Sequence, residues 1–215
     1  MSFHLKTLAA ALLAPLALSA CIQLLPDPPP APRIYPLEAG DVQSAARESA
    51  LVASVARPTG PQILMGDGIV WRQNGVLAYM SGANWAGSAP ELLQTLVAQT
   101  ITRQGRLAAG VRAGDGLRGD VEVRWDLIAF EVVEEGGSLN ARFAADVRVI
   151  QARGRTLLAS EIVDVSEPLS DRSGGAAAQA LARAARSGSA RIATLTANAA
   201  VALPPDQASA ASISR

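Results

Sequence analysis

The chain has 215 residues, is 49% hydrophobic and 18% charged, and balances 19 Lys+Arg against 19 Asp+Glu. That length fits one ordinary domain with tails, and the zero net charge with only 4% aromatic residues argues against a nucleic-acid partner or a base-stacking platform. The only histidine, lysine and cysteine (His4, Lys6 and Cys21) fall within the first 21 residues, so the rest of the chain cannot build a Ser-His-Asp triad, a Cys-His pair, a Schiff-base or Walker lysine, or a Cys/His zinc site.

The chain opens with basic Lys6 and an apolar run from Leu8 to Ala20, interrupted by Pro15. A membrane-crossing helix needs roughly 20 apolar residues. The shorter run predicts the apolar region of a signal peptide over residues 1–20. Ordinary secretory cleavage before Cys21 would want small residues at both −1 and −3; Ala20 fits and Leu18 does not. Leu18-Ser19-Ala20-Cys21 instead resembles the bacterial lipobox. That resemblance implies acyl chains, palmitate among them, attached to Cys21, and two chains suffice for stable anchoring. By lipoprotein sorting rules, Ile22 rather than aspartate after the cysteine implies the outer membrane. Pro26, Pro28, Pro29, Pro30 and Pro32 follow. Proline favours the extended polyproline form, so residues 21–32 read as an anchored stalk, reaching about 35 Å at roughly 3.1 Å per residue.

A domain is expected over residues 33–200. Arg33 to Leu37 reads as an edge strand, because Pro36 removes a ladder donor. Residues 50–56 read as a second strand. Gly66-Asp67-Gly68 marks a turn before Ile69 to Arg72, and Asn74-Gly75 is a hairpin signal with Val76 to Met80 returning. Ser88-Ala89-Pro90-Glu91 predicts a helix start with a capping box. Leu92, Leu93, Leu96, Val97, Thr100 and Ile101 keep helical spacing, and Gly105 is placed to stop it. Trp85, just before that helix, reads as a packing anchor.

Residues 121–150 read as two long antiparallel strands turning at Glu135-Gly136-Gly137-Ser138. Val121, Val123, Trp125, Leu127 and Ala129 alternate with polar residues, then the apolar phase slips to Phe130 and Val132, which predicts a bulge near Ile128-Ala129. Residues 156–165 give a further strand. A last helix is expected from about Gly175 to Ala200, with Ala177, Leu181, Ala184, Gly188, Ile192 and Leu195 in one stripe and Arg183, Arg186 and Arg191 on a solvated face. Residues 201–215 are expected to be a disordered tail.

Gly114-Asp115-Gly116-Leu117-Arg118-Gly119 spells a dinucleotide fingerprint, but that motif needs a strand before and a helix after. Here a strand follows, so the segment reads as a glycine-rich loop. Arg118-Gly119-Asp120 is a three-letter match to an adhesion tripeptide and carries no weight. Glu134-Glu135 reads as a solvated turn. The carboxylates Asp120, Glu122, Asp126 and Glu131 could in principle serve a paired-carboxylate glycan hydrolase, but each reads more simply as the wet side of a strand. No catalytic, cofactor or metal residue is assigned.

The order of lipobox, proline stalk, Tyr35-Pro-Leu37, Trp85 with Pro90 beyond it, a leucine-rich helix, Phe130-Glu131 late in a long strand and an alanine-rich last helix resembles the ABC-type transport auxiliary lipoproteins (the PqiC/YmbA-like family) over roughly residues 33–197. Two features depart from the family's usual pattern: Ile34 rather than tyrosine precedes Tyr35, and Gly87 rather than an acidic residue follows Trp85. The resemblance implies a non-enzymatic outer-membrane lipoprotein, facing the periplasm, that docks the MCE-domain protein of an ABC-type lipid transport system and assembles as a homo-oligomeric ring. The expected fold is α+β, a single domain with a mostly antiparallel sheet and two main helices. Docking would use an exposed strand edge or helix face. The alternative is a stand-alone lipoprotein that binds a lipid or cell-wall ligand itself.

Overall fold

A computed structural model of the chain describes residues 31–203. The expected signal peptide, Cys21, most of the expected stalk and the tail beyond residue 203 lie outside the described residues. Eight strands and two helices follow in order: β1 (Arg33–Tyr35), β2 (Val52–Val55), β3 (Gly68–Gln73), β4 (Val76–Trp85), α1 (Ala89–Gln104), β5 (Ala109–Arg112), β6 (Val121–Glu135), β7 (Ser138–Gln151), β8 (Leu157–Pro168) and α2 (Gly174–Val201). One 3-10 turn, Gln62–Leu64, precedes β3.

Strand β6 is the axis of the sheet. On one side it pairs antiparallel with β7 along its length, and β7 pairs in the same way with β8. On the other side two short strands share it end to end: β2 runs parallel to its start at Val121–Val123, and β3 parallel to its end at Glu131–Glu134. β4 and β1 extend the sheet beyond β3, and β5 extends it beyond β2. The long ladders are antiparallel and the parallel pairings are short, so the α+β class holds with a mixed sheet. β1 is an edge, as Pro36 implied.

The expected bulge is present: the β6–β7 register slips between Leu127 and Ala129. Val121, Val123, Trp125 and Leu127 before it, and Phe130 and Val132 after it, are all buried. Trp85 stacks on Phe130 with ring centroids 5.3 Å apart, and Phe130 meets Phe143 edge to face at 6.4 Å. The packing role of Trp85 is therefore confirmed. The small-residue stripe of α2 brings that helix close to the sheet. A Cβ at Gly188 would stand 2.3 Å from the Phe143 ring, so only a glycine fits there.

Several local expectations change. The capping box of α1 does not form: Ser88 makes no capping bond, because Arg57 takes both partners, its Nη2 donating to Ser88 Oγ at 3.2 Å and its Nη1 to Glu91 at 3.0 Å. Gly105 does end α1, with φ +77°. β4 runs five residues beyond the expected Met80, to Trp85, and β5 was not foreseen, since Ala-Gly-Val-Arg carries no alternation. α2 is capped by Ser173, whose hydroxyl accepts the Ala176 N–H at 3.2 Å.

Candidate functional site

Of the four carboxylates considered from the sequence, Asp120 and Glu122 line one concavity, and Asp126 and Glu131 are not part of it. Asp120 lies just before β6 and Glu131 eleven residues further along it, roughly 35 Å apart at the usual strand rise. Asp120 Oδ2 accepts the Val52 N–H at 2.8 Å and joins β6 to β2. Glu122 pairs with Arg124 at 3.0 Å. Asp126 accepts from the Thr59 hydroxyl and from Arg148. Each is committed to a donor, whereas glycan hydrolysis needs two carboxyl groups roughly 5–10 Å apart and poised for proton transfer. Glu131 corrects the wet-side reading. It is only 1% exposed, because the Arg72 side chain from β3 lies beside it with Nε 2.7 Å from Oε1.

Glu134 also differs from expectation. Rather than sitting in a solvated turn, it is buried and bound by Arg172 from the β8–α2 connection. The Arg172 guanidinium first, and hydrogen bonds from Trp71 and Gln73, hold its carboxyl below the usual range against the opposing effect of burial. Above this pair, the β3–β4 hairpin forms a concavity of about 540 Å³ lined by Trp71, Val76, Ala78, Tyr79 and Met80. Val76 is 69% exposed. A signal for this surface was present in the sequence: Val76-Leu77-Ala78-Tyr79-Met80 is apolar in both strand phases, which requires either two covered faces or an exposed one.

The arginines of α2 are not merely solvated. The Leu169 N–H bonds Leu139 O at 3.1 Å, and ladder alternation then turns the even-numbered groups of β8 toward its free edge. Arg191 Nη1 donates to the Asp164 carbonyl and Arg183 Nη2 to the Pro168 carbonyl, both at 3.0 Å. The guanidinium groups occupy two edge carbonyls of the twelve-residue β8, a direct way to blunt strand addition. Arg186 reaches Glu38 O at 3.4 Å.

At the other end of β6, the Gly114–Gly119 segment is a loop followed by a strand, as read from the sequence. It borders a second concavity, of about 890 Å³. Among the described residues, no group of three or more His, Cys, Asp or Glu side chains could hold a metal ion, and no helix is long and apolar enough to cross a membrane.

A family model described as an ABC-type transport auxiliary lipoprotein component matches residues 35–193. Among solved structures, the chain is similar to protein XCC0632 from Xanthomonas campestris, described under the family DUF330, with 24% identity, a TM-score of 0.69, and 77% of this chain and 96% of that one covered. A second structure, described as an uncharacterized protein, has 14% identity and a TM-score of 0.60 over 77% of this chain and 98% of that one. Both share the fold. No curated protein matches the chain.

Proposed function

Because the chain belongs to the family of ABC-type transport auxiliary lipoprotein components, we propose that it acts without catalysis, as the anchored piece that docks a periplasm-spanning MCE-domain protein at the outer membrane. Acyl chains on Cys21 set the height, the proline-rich stalk sets the reach, and the domain grips by shape. Copies of the chain surround that partner as a ring.

The observation that carries this reading is the β3–β4 hairpin. Its Val76, Ala78 and Tyr79 side chains are exposed in a concavity rather than spent on the core, beside half-buried Trp71 and Met80. An apolar segment of the MCE protein would fill it, with the Glu134–Arg172 pair as a fixed polar floor. The β8 edge is the weaker candidate for docking, because Arg183 and Arg191 already occupy two of its carbonyls.

The test is co-purification of the tagged full chain with the MCE protein in mild detergent. Wild type retains the partner, and a Val76→Asp/Ala78→Asp variant, changed at two exposed positions, loses it while still folding. Repeated absence of the MCE protein from the wild-type preparation would overturn the docking role. Intact mass should find Cys21 carrying a diacylglycerol thioether, with or without a third acyl chain, and an unmodified thiol there would remove the anchor. Native mass spectra in detergent should find a closed oligomer; a monomer alone would remove the ring.

A further inference from the structure

The β5–β6 loop and the β7–β8 turn are joined by the Ala152 N–H, which donates to Asp120 O at 2.9 Å. Between them lies the concavity of about 890 Å³, at the end of β6 away from the β3–β4 hairpin. Two observations mark it.

The first is charge. Most arginines elsewhere in the fold are committed, such as Arg106 to Glu48, Arg142 to Asp164, Arg172 to Glu134 and Arg191 to Glu161; Arg33 and Arg47 also lack a partner among the described residues, but neither lines this concavity. Arg118 and Arg153 both line the concavity and have no hydrogen-bond or ion-pair partner among the described residues; nor does Arg155, on the same turn as Arg153. The nearby acids only partly offset them. Glu122 is paired with Arg124 and Asp115 with Arg112; Asp120 accepts the neutral Val52 N–H and keeps its charge, so two free guanidinium groups face one uncompensated carboxylate. Unsatisfied guanidinium forks facing one hollow suit phosphate oxygens, which they can bind in a bidentate manner.

The second is the apolar wall. Leu117, 64% exposed, stands beside Arg118, and Leu203 lines the same concavity. An inorganic anion would use the arginines and leave the leucines wet. A phosphate carrying alkyl chains uses both.

We propose that this concavity binds the headgroup of an anionic phospholipid, with the phosphate on Arg118 and Arg153 and the first acyl methylenes on Leu117 and Leu203. It stands apart from the hairpin surface and does not depend on the docking role, which co-purification tests separately.

The probe is dihexanoyl phosphatidylglycerol, titrated into the full chain below its micelle concentration and followed by calorimetry. Glycerol 3-phosphate supplies the phosphate without chains, and dihexanoylglycerol the chains without phosphate. The phospholipid binds, and both controls bind on the order of tenfold weaker or less. Each of Arg118→Gln and Arg153→Gln weakens phospholipid binding on the order of tenfold, the effect of one lost charge-assisted hydrogen bond. Because neither side chain has a structural partner, thermal melting is unchanged in both variants. Failure of the phospholipid to bind the wild type, equal binding by either variant, or equal binding by either control would overturn the proposal.

Discussion

Adjacent residues of β7 show two ways of holding one sheet. Phe143 is fully buried beneath α2, against Gly188 and the rings of Phe130 and Trp125. Arg142 points to the opposite face, where its guanidinium meets Asp164 of β8 at 2.7 Å. The same open face carries Arg148 between Asp126 and Asp146, and Arg72 against Glu131. The covered face is fixed by shape, because close-packed side chains leave no room to move. The open face is fixed by ion pairs that water screens and that individually contribute little. Large losses should therefore follow volume changes on one face, and small ones charge changes on the other.

Glu131 is the place where that contrast should break. Arg72→Ala would leave a carboxylate of 1% exposure without its hydrogen-bonded cation, with only the cross-strand charge of Arg142 remaining, and it should cost about 3 kcal/mol, the lower end of the effect of breaking a buried pair. Urea unfolding measures it, and a loss like that of an ordinary surface pair would show that the open face has no buried member.

Gly188→Ala tests the covered face. Alanine normally favours a helix over glycine by about 1 kcal/mol. Here its Cβ would meet Phe143, so the variant should instead lose about 2 kcal/mol, visible as a lower melting temperature. A stabilised variant would mean that the helix stands off the sheet.

Arg148→Ala, on the open face, should change stability by only about 0.5 kcal/mol and make it less salt-sensitive. The smallest effect is in acid. Arg142 holds the Asp164 carboxyl below the usual range, as Arg106 does for Glu48 and Arg172 for Glu134. The folded chain therefore binds fewer protons than the unfolded one as pH falls into the carboxylate range. Its stability contribution is complete above that range and is lost as pH drops through the lowered folded values. Melting curves across acidic pH should show this decline, and Arg142→Ala should flatten it.

Much of the architecture was legible in the sequence. Strict alternation in Val121–Leu127 and Leu139–Val149 announced the two long strands, and the slip at Phe130 announced the bulge. Gly105 marked a helix end, and the small-residue stripe of α2 anticipated its close packing. Besides β5 and the full length of β4, three features escaped. The capping box at Ser88 failed because Arg57, distant in sequence, claims both of its side chains. Glu131 and Glu134 looked solvated because nothing local reveals that Arg72 and Arg172 arrive beside them. The edge-capping role of Arg183 and Arg191 depends on which carbonyls β8 turns outward.

The sequence by itself determined the inventory and the periods: an expected lipid-bearing cysteine, a chain beyond it without imidazole or amine side chains, and strands and helices whose apolar spacing selects one face. These are local properties, since a period of two or of 3.6 residues is written in neighbouring positions. The tertiary structure alone decided which arginine meets which carboxylate, which edge is closed and where hollows remain. Those outcomes join residues far apart in the chain, and a charged side chain has no period that would point to its partner.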